Sequence, residues 1–120
     1  MSLRLWTIDV NARDPQRLAR WWADALSWKI FFEDENEVVI TTDDERFPGI
    51  TFVPVPEEKS GVNRLHLDLV PDDQDAEVER LLAKGATRAD VGQPDDVTWV
   101  VLADPEGNEF CVLRAREGGM

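Results

Sequence analysis

The second half of this chain repeats the first, and that constrains its fold more than any other feature. Trp6-Thr7-Ile8-Asp9-Val10 lies over Leu65-His66-Leu67-Asp68-Leu69, 59 positions on, and Thr51-Phe52-Val53 lies over Glu109-Phe110-Cys111, 58 positions on. A near-constant offset at two distant anchors marks an internal duplication. Whatever the chain folds into must be two copies of one unit, each burying an apolar face that it cannot cover alone.

Each half reads as β-α-β-β-β. Leu3 to Val10 alternates like a half-buried strand. Asp14 is a good helix N-cap, and Pro15 suits the first helical position, where a missing N–H costs nothing. Leu18, Trp21, Trp22, Ala25 and Leu26 then recur on one helical face. Strands are expected over Trp28 to Phe32, Glu37 to Thr42 and Ile50 to Val55, separated by acidic or Gly/Pro-bearing turns. The order restarts with a strand over Asn63 to Val70, which sets Leu65, Leu67 and Leu69 on one face and Arg64, His66 and Asp68 on the other. Asp72 or Asp73 caps a second helix with Ala76, Val78, Leu81 and Leu82 as its apolar face and Gly85 as its stop. Strands at about 87–91, 97–103 and 109–114 close the chain.

The expected architecture is one α+β domain over residues 1–120, with modules at 1–56 and 62–116 and a polar linker at 56–61. Trp21 and Trp22 are expected in the core, and Trp6 is expected to pack on a helix with Ile8 and Val10. Trp28 and Trp99 are candidates to line a cavity.

Charge narrows the partners. A formal net charge of -12 argues against nucleic acid and against an anionic membrane surface as partners, since both call for clustered Lys and Arg. No apolar run is long enough to span a bilayer, and the N-terminus lacks a signal pattern. The single cysteine, Cys111, rules out an intrachain disulfide and suits a reducing cytoplasm.

The stretch Trp99-Val-Val-Leu-Ala-Asp-Pro-Glu-Gly-Asn-Glu-Phe-Cys-Val-Leu113 resembles the closing hairpin of the vicinal-oxygen-chelate superfamily, which includes glyoxalases, bleomycin resistance proteins and dioxygenases. Asn63-Arg-Leu-His-Leu-Asp-Leu69 and Asp14-Pro-Gln-Arg-Leu-Ala-Arg-Trp-Trp-Ala-Asp-Ala-Leu-Ser-Trp28 resemble its glyoxalase-like subgroup. The resemblance covers nearly the whole chain. It implies two βαβββ modules forming a curved, barrel-like sheet with a central cavity and the helices outside. Within it, Asp104-Pro-Glu-Gly-Asn108 has a purely mechanical role as a turn.

Metal-using members of the superfamily present ligands from the first and last strand of each unit. Carried over by the resemblance, those positions are Thr7, Val53, His66 and Cys111. Only His66 is an ordinary ligand, and Val53 cannot bind a metal at all. A catalytic zinc needs about three protein ligands and an open position, so this donor set disfavours the divalent metal (Zn, Ni, Mn or Fe) that the family implies. A rebuilt site would draw on His66, Glu109 and an aspartate, Asp9 or Asp68. The plainer expectation pairs Asp68 with Arg64 and leaves Glu109 in water.

His66, the only histidine, is the candidate acid/base. Thr7, Val53, His66, Glu109 and Cys111 are the candidate ligand-binding residues, with Cys111 expected to be an inert buried thiol. Three functions follow in order of preference. The first is a binding protein for a small organic molecule without the usual metal site, as resistance-type members sequester an antibiotic. The second is a lyase, isomerase or dioxygenase-like enzyme using His66, and the third is an accessory interaction domain. A homodimer is expected, as is common among similar proteins.

Overall fold

The computed structural model describes residues 2–116. The chain divides into two compact units between Glu58 and Lys59. The first runs β1 (Thr7–Ala12), α1 (Pro15–Leu26), β2 (Lys29–Glu33), β3 (Val38–Thr41) and β4 (Gly49–Pro54). The second repeats the order with β5 (Leu67–Leu69), α2 (Gln74–Ala83), β6 (Thr87–Arg88), β7 (Val100–Ala103) and β8 (Glu109–Val112). Both are the βαβββ unit that the duplication predicts.

The helices begin where their capping chemistry places them. The Asp14 carboxylate accepts from Arg17 N at 3.2 Å with Pro15 inside the first turn, and Asp73, not Asp72, accepts from Ala76 N at 3.1 Å. The first helix stops at Ser27, which takes the left-handed conformation that glycine usually supplies, and Trp28 N then bonds to Ala23 O at 2.8 Å. Gly85, with φ 114, follows the second helix.

The sheet orders are β1-β4-β3-β2 and β5-β8-β7-β6. In each, the first strand runs parallel to the last and the remaining pairs are antiparallel. Each sheet has four strands and two free edges, so neither is closed into a barrel.

Both opening strands are shorter than their alternation suggests, because a strand extends only as far as it has a partner. β1 starts at Thr7, paired with Gly49, just after the cis Phe47-Pro48 bond at which β4 has not yet begun. β5 starts at Leu67, paired with Phe110, because β8 is preceded by the Asp104–Asn108 turn. Leu65, expected on the apolar face, is instead 83% exposed.

Strand register separates two unlike faces of the first sheet. Ile8, Ile50, Ile40 and Ile30 form one row across all four strands, with Val10, Phe52 and Val38 in the next row. This is the apolar face that can accept the buried stripe of α1, Leu18, Ala19, Trp22 and Ala25, and α1 packs against all four strands. The alternate face carries Thr7, Asp9 and Asn11 on β1 and Thr51 and Val53 on β4.

Two tryptophan expectations need correction. Trp6 is 52% exposed and lies before β1, stacked on Phe47 with ring centroids 5.5 Å apart. Trp22 is buried in the core, whereas Trp21 is only half-buried and meets Trp22 edge-on at 5.1 Å.

Candidate functional site

The second sheet brings three chemistry-bearing side chains together. Asp68 on β5 is the direct neighbour of Cys111 on β8 across a parallel pair, which sets both side chains on one face. His66 lies two residues before Asp68, at the head of the strand. One donor atom from each of His66, Asp68 and Cys111 lies within 4.8 Å of the other two. His66 Nε2 is 3.1 Å from Asp68 Oδ1, and these two side chains are half open to solvent, 49% and 53% exposed. Cys111 is buried beneath them, 7% exposed.

The electrostatics of this cluster keep the thiol protonated. Burial pushes the Cys111 pKa above the ordinary thiol range, and the Asp68 charge and the hydrogen bond to Asp68 push it the same way. A neutral thiol is a poor nucleophile, so Cys111 in this state is a donor to Asp68 and not an attacking group.

Asp68 therefore pairs with His66, where the plainer sequence expectation paired it with Arg64. The cross-strand partner of Asp68 also differs from the one that the duplication suggests. Carried through the offsets of 59 and 58, the Asp9–Thr51 pairing of the first unit would set Asp68 beside Glu109. The second unit pairs it two residues farther on, with Cys111. A slip of two keeps the same face and changes the partner.

Glu109 is engaged elsewhere and does not face water. It accepts from Lys59 Nζ at 2.9 Å through one carboxylate oxygen and from Asn63 N at 3.0 Å through the other. Lys59 also donates to Gly61 O, so the carboxylate ties residues 59–63 to the start of β8. Burial acts to raise its pKa, but the Asn63 N–H and the Lys59 ammonium outweigh that and the net shift is downward. Neither Lys59 nor Asn63 was recognisable from spacing. Only an acidic residue opening β8 and a basic residue in the linker hinted at them.

Thr7 and Val53 belong to the first unit. Thr7 Oγ1 donates to Asp9 Oδ1 at 3.0 Å, and Val53 pairs with Asn11 in the last rows of the β1–β4 ladder. Asp104 shows the mechanical turn role expected of it. Its buried carboxylate accepts from Glu106 N at 2.9 Å, from Asn108 N at 3.0 Å and from Asn108 Nδ2, while Gly107 takes φ 89.

The sequence profile of the glyoxalase-like domain family matches residues 6–113. The chain belongs to the glyoxalase-like domain family. No curated protein sequence matches it. Solved structures share the fold at low identity. A glyoxalase/bleomycin resistance protein/dioxygenase family enzyme from Burkholderia phytofirmans PsJN superposes with a TM-score of 0.75 at 19% identity, covering 95% of this chain and 100% of that one. The trypanothione-dependent glyoxalase I of Leishmania major gives 0.69 at 12%, covering 94% and 87%. A bleomycin resistance determinant encoded on the transposon Tn5 gives 0.60 at 15%, covering 95% and 99%. At these identities the likeness is one of fold.

The family's four-position metal pattern does not fit this glyoxalase-like domain, since Val53 has no donor atom. The cluster on the second sheet is a different donor set. Imidazole, carboxylate and thiolate together suit a divalent ion such as zinc, as three ligands with a position left open. Among the described residues no helix is long and apolar enough to cross a membrane.

Proposed function

We propose that this glyoxalase-like domain binds a small organic molecule, that His66 and Asp68 anchor the ligand's polar group, and that it does so without the family's usual metal set. The observation that carries the reading is the His66–Asp68 pair, 3.1 Å apart and half open to solvent above a buried, protonated Cys111. Such a pair offers a ligand an acceptor and a ring nitrogen that donates or accepts. Native mass spectrometry of the purified protein tests this. A small molecule carried through purification and lost in His66→Ala is the expected result, and a ligand retained in that variant would count against it.

The donor spacing also favours a second reading, in which His66, Asp68 and Cys111 hold a divalent ion and the protein is a lyase- or isomerase-type enzyme. When bound, such an ion polarises substrate oxygens as a Lewis acid. The chain's own contribution would then be His66, Asp68 and Cys111 as the three ligands that hold the ion and leave one position to the substrate. Elemental analysis separates the readings, because a stoichiometric metal abolished by His66→Ala establishes the second. Self-association to a homodimer belongs to the proposal, and a concentration-independent monomer mass in sedimentation would remove it.

A further inference from the structure

The duplication gives both units the same small constellation, and the two copies differ in their donor atoms. In the first unit, Thr7 Oγ1 lies 3.0 Å from Asp9 Oδ1, and Asp9 pairs across the parallel β1–β4 ladder with the buried Thr51. In the second, His66 Nε2 lies 3.1 Å from Asp68 Oδ1, and Asp68 pairs across β5–β8 with the buried Cys111. The aspartate is common to both. Around it the first unit sets two hydroxyls, and the second sets an imidazole and a thiol. All three donors of the second constellation belong to the second unit, so no residue of the first is needed to complete it.

The separations suit a tetrahedral ion. Bonds of about 2.0–2.3 Å from zinc to nitrogen, oxygen and sulfur set neighbouring ligand atoms roughly 3.3–3.6 Å apart. The ring and the carboxylate are already 3.1 Å apart, and all the donor atoms lie within 4.8 Å of one another. Closing the widest gap takes about 1 Å, which a change of side-chain torsion supplies. His66 and Asp68 are half open to solvent, so an ion reaches Cys111 Sγ from their side.

We propose that the second unit holds a single thiophilic divalent ion, zinc or cadmium, on His66 Nε2, an Asp68 oxygen and Cys111 Sγ. As the sulfur–metal bond forms, the Sγ proton passes to water, and neutral His66 keeps its ring proton on Nδ1. Thiolate and carboxylate together neutralise the ion's two charges. Sulfur and nitrogen donors favour such an ion over magnesium, calcium or manganese, which suit oxygen ligands and higher coordination numbers. Thr7 and Thr51 supply neither donor, so the matching place in the first unit offers no equivalent seat and the chain takes one ion. This inference rests on the metal reading above and adds the ion's class, its stoichiometry and its confinement to one unit.

The test is titration of the whole chain with cobalt(II), a spectroscopic substitute for zinc. Cys111 is the only cysteine and His66 the only histidine, so replacing either removes the chain's whole supply of that donor. One equivalent of cobalt should raise a thiolate-to-cobalt charge-transfer band in the near ultraviolet. Zinc or cadmium should bleach it, and a large excess of magnesium or manganese should not. Cys111→Ser should abolish the band. His66→Ala and Asp68→Ala should each weaken binding about tenfold or more, at least the loss that follows removal of a ligand's outer partner. Zinc should also raise the melting temperature of the wild type, and much less that of Cys111→Ser. A cobalt complex without the band, a second ion bound as tightly, or bleaching by manganese would each overturn the inference. The first of these leaves the metal reading standing, with the ion on His66 and Asp68 alone, whereas no complex at all removes both.

Discussion

Asp68 faces Cys111 directly across the parallel β5–β8 pair, and its one carboxylate serves both the thiol below and the His66 ring 3.1 Å away. The Cys111 pKa is raised by burial first and by this carboxylate second. A thiol with a raised folded-state pKa contributes stability that is intact below the unfolded thiol pKa and lost as pH rises through the folded value.

That sign gives an alkaline prediction. The melting temperature should fall from about pH 8.5 upward, where an unfolded thiol ionises and the folded one does not. Cys111→Ala should remove part of this slope. In Asp68→Asn, which takes away the adjacent charge, the thiol should ionise at lower pH and react faster with a thiol reagent under denaturant-free conditions. An unchanged reaction rate would mean that burial alone holds the proton.

Glu109 predicts the opposite end of the pH scale. Its pKa is lowered in the folded protein, so its contribution is present above the ordinary carboxylate range and lost as pH falls through the folded value. Glu109→Ala strands the Asn63 N–H and a largely covered Lys59 ammonium, at a cost of about 1–3 kcal/mol near neutral pH. The difference from wild type should shrink below about pH 4 in chemical denaturation, once the wild-type carboxylate is itself protonated. A gap that stays constant with pH would show that the charge contributes nothing.

His66→Ala should cost little stability, about 1 kcal/mol or less, because the side chain is half open to water. A domain of this size then loses about 4 °C in melting temperature. A loss of roughly 15 °C in the same melt would mark His66 as structural and remove it as a ligand anchor.

Gly49→Ala should be far more damaging than its size suggests. A Cβ at this position would lie 2.4 Å from Ile40 O, a backbone atom that can move only by shifting β3. Overpacking of this kind costs about 1–3 kcal/mol, and denaturant unfolding should show it with an unchanged m-value. A neutral substitution would mean that the β3–β4 pair is looser than its ladder indicates.

How much of this was written in the sequence follows from distance along the chain. Helix caps at Asp14 and Asp73, the turn around Asp104 and Gly107, and the alternation that sets Asp68 on the face opposite Leu67 and Leu69 depend on residues only a few positions apart. The duplication is also visible directly, because it repeats those same local signals. The period-2 rule, applied to Val53 as it was to Thr7 and His66, would also have singled out Thr51.

Tertiary structure decided what depends on distant partners. Strands β1 and β5 are trimmed to the stretches that pair with β4 and β8, and Trp6 is left stacked on Phe47. Glu109 is held by Lys59 and Asn63, 50 and 46 positions away. The two-residue slip that gives Asp68 to Cys111, and the bulge that carries Phe32 into line with Val39, are equally invisible beforehand. A shift of two residues keeps every side chain on its face, so the hydrophobic pattern is the same in either register. Only the packing of the whole ladder chooses between them.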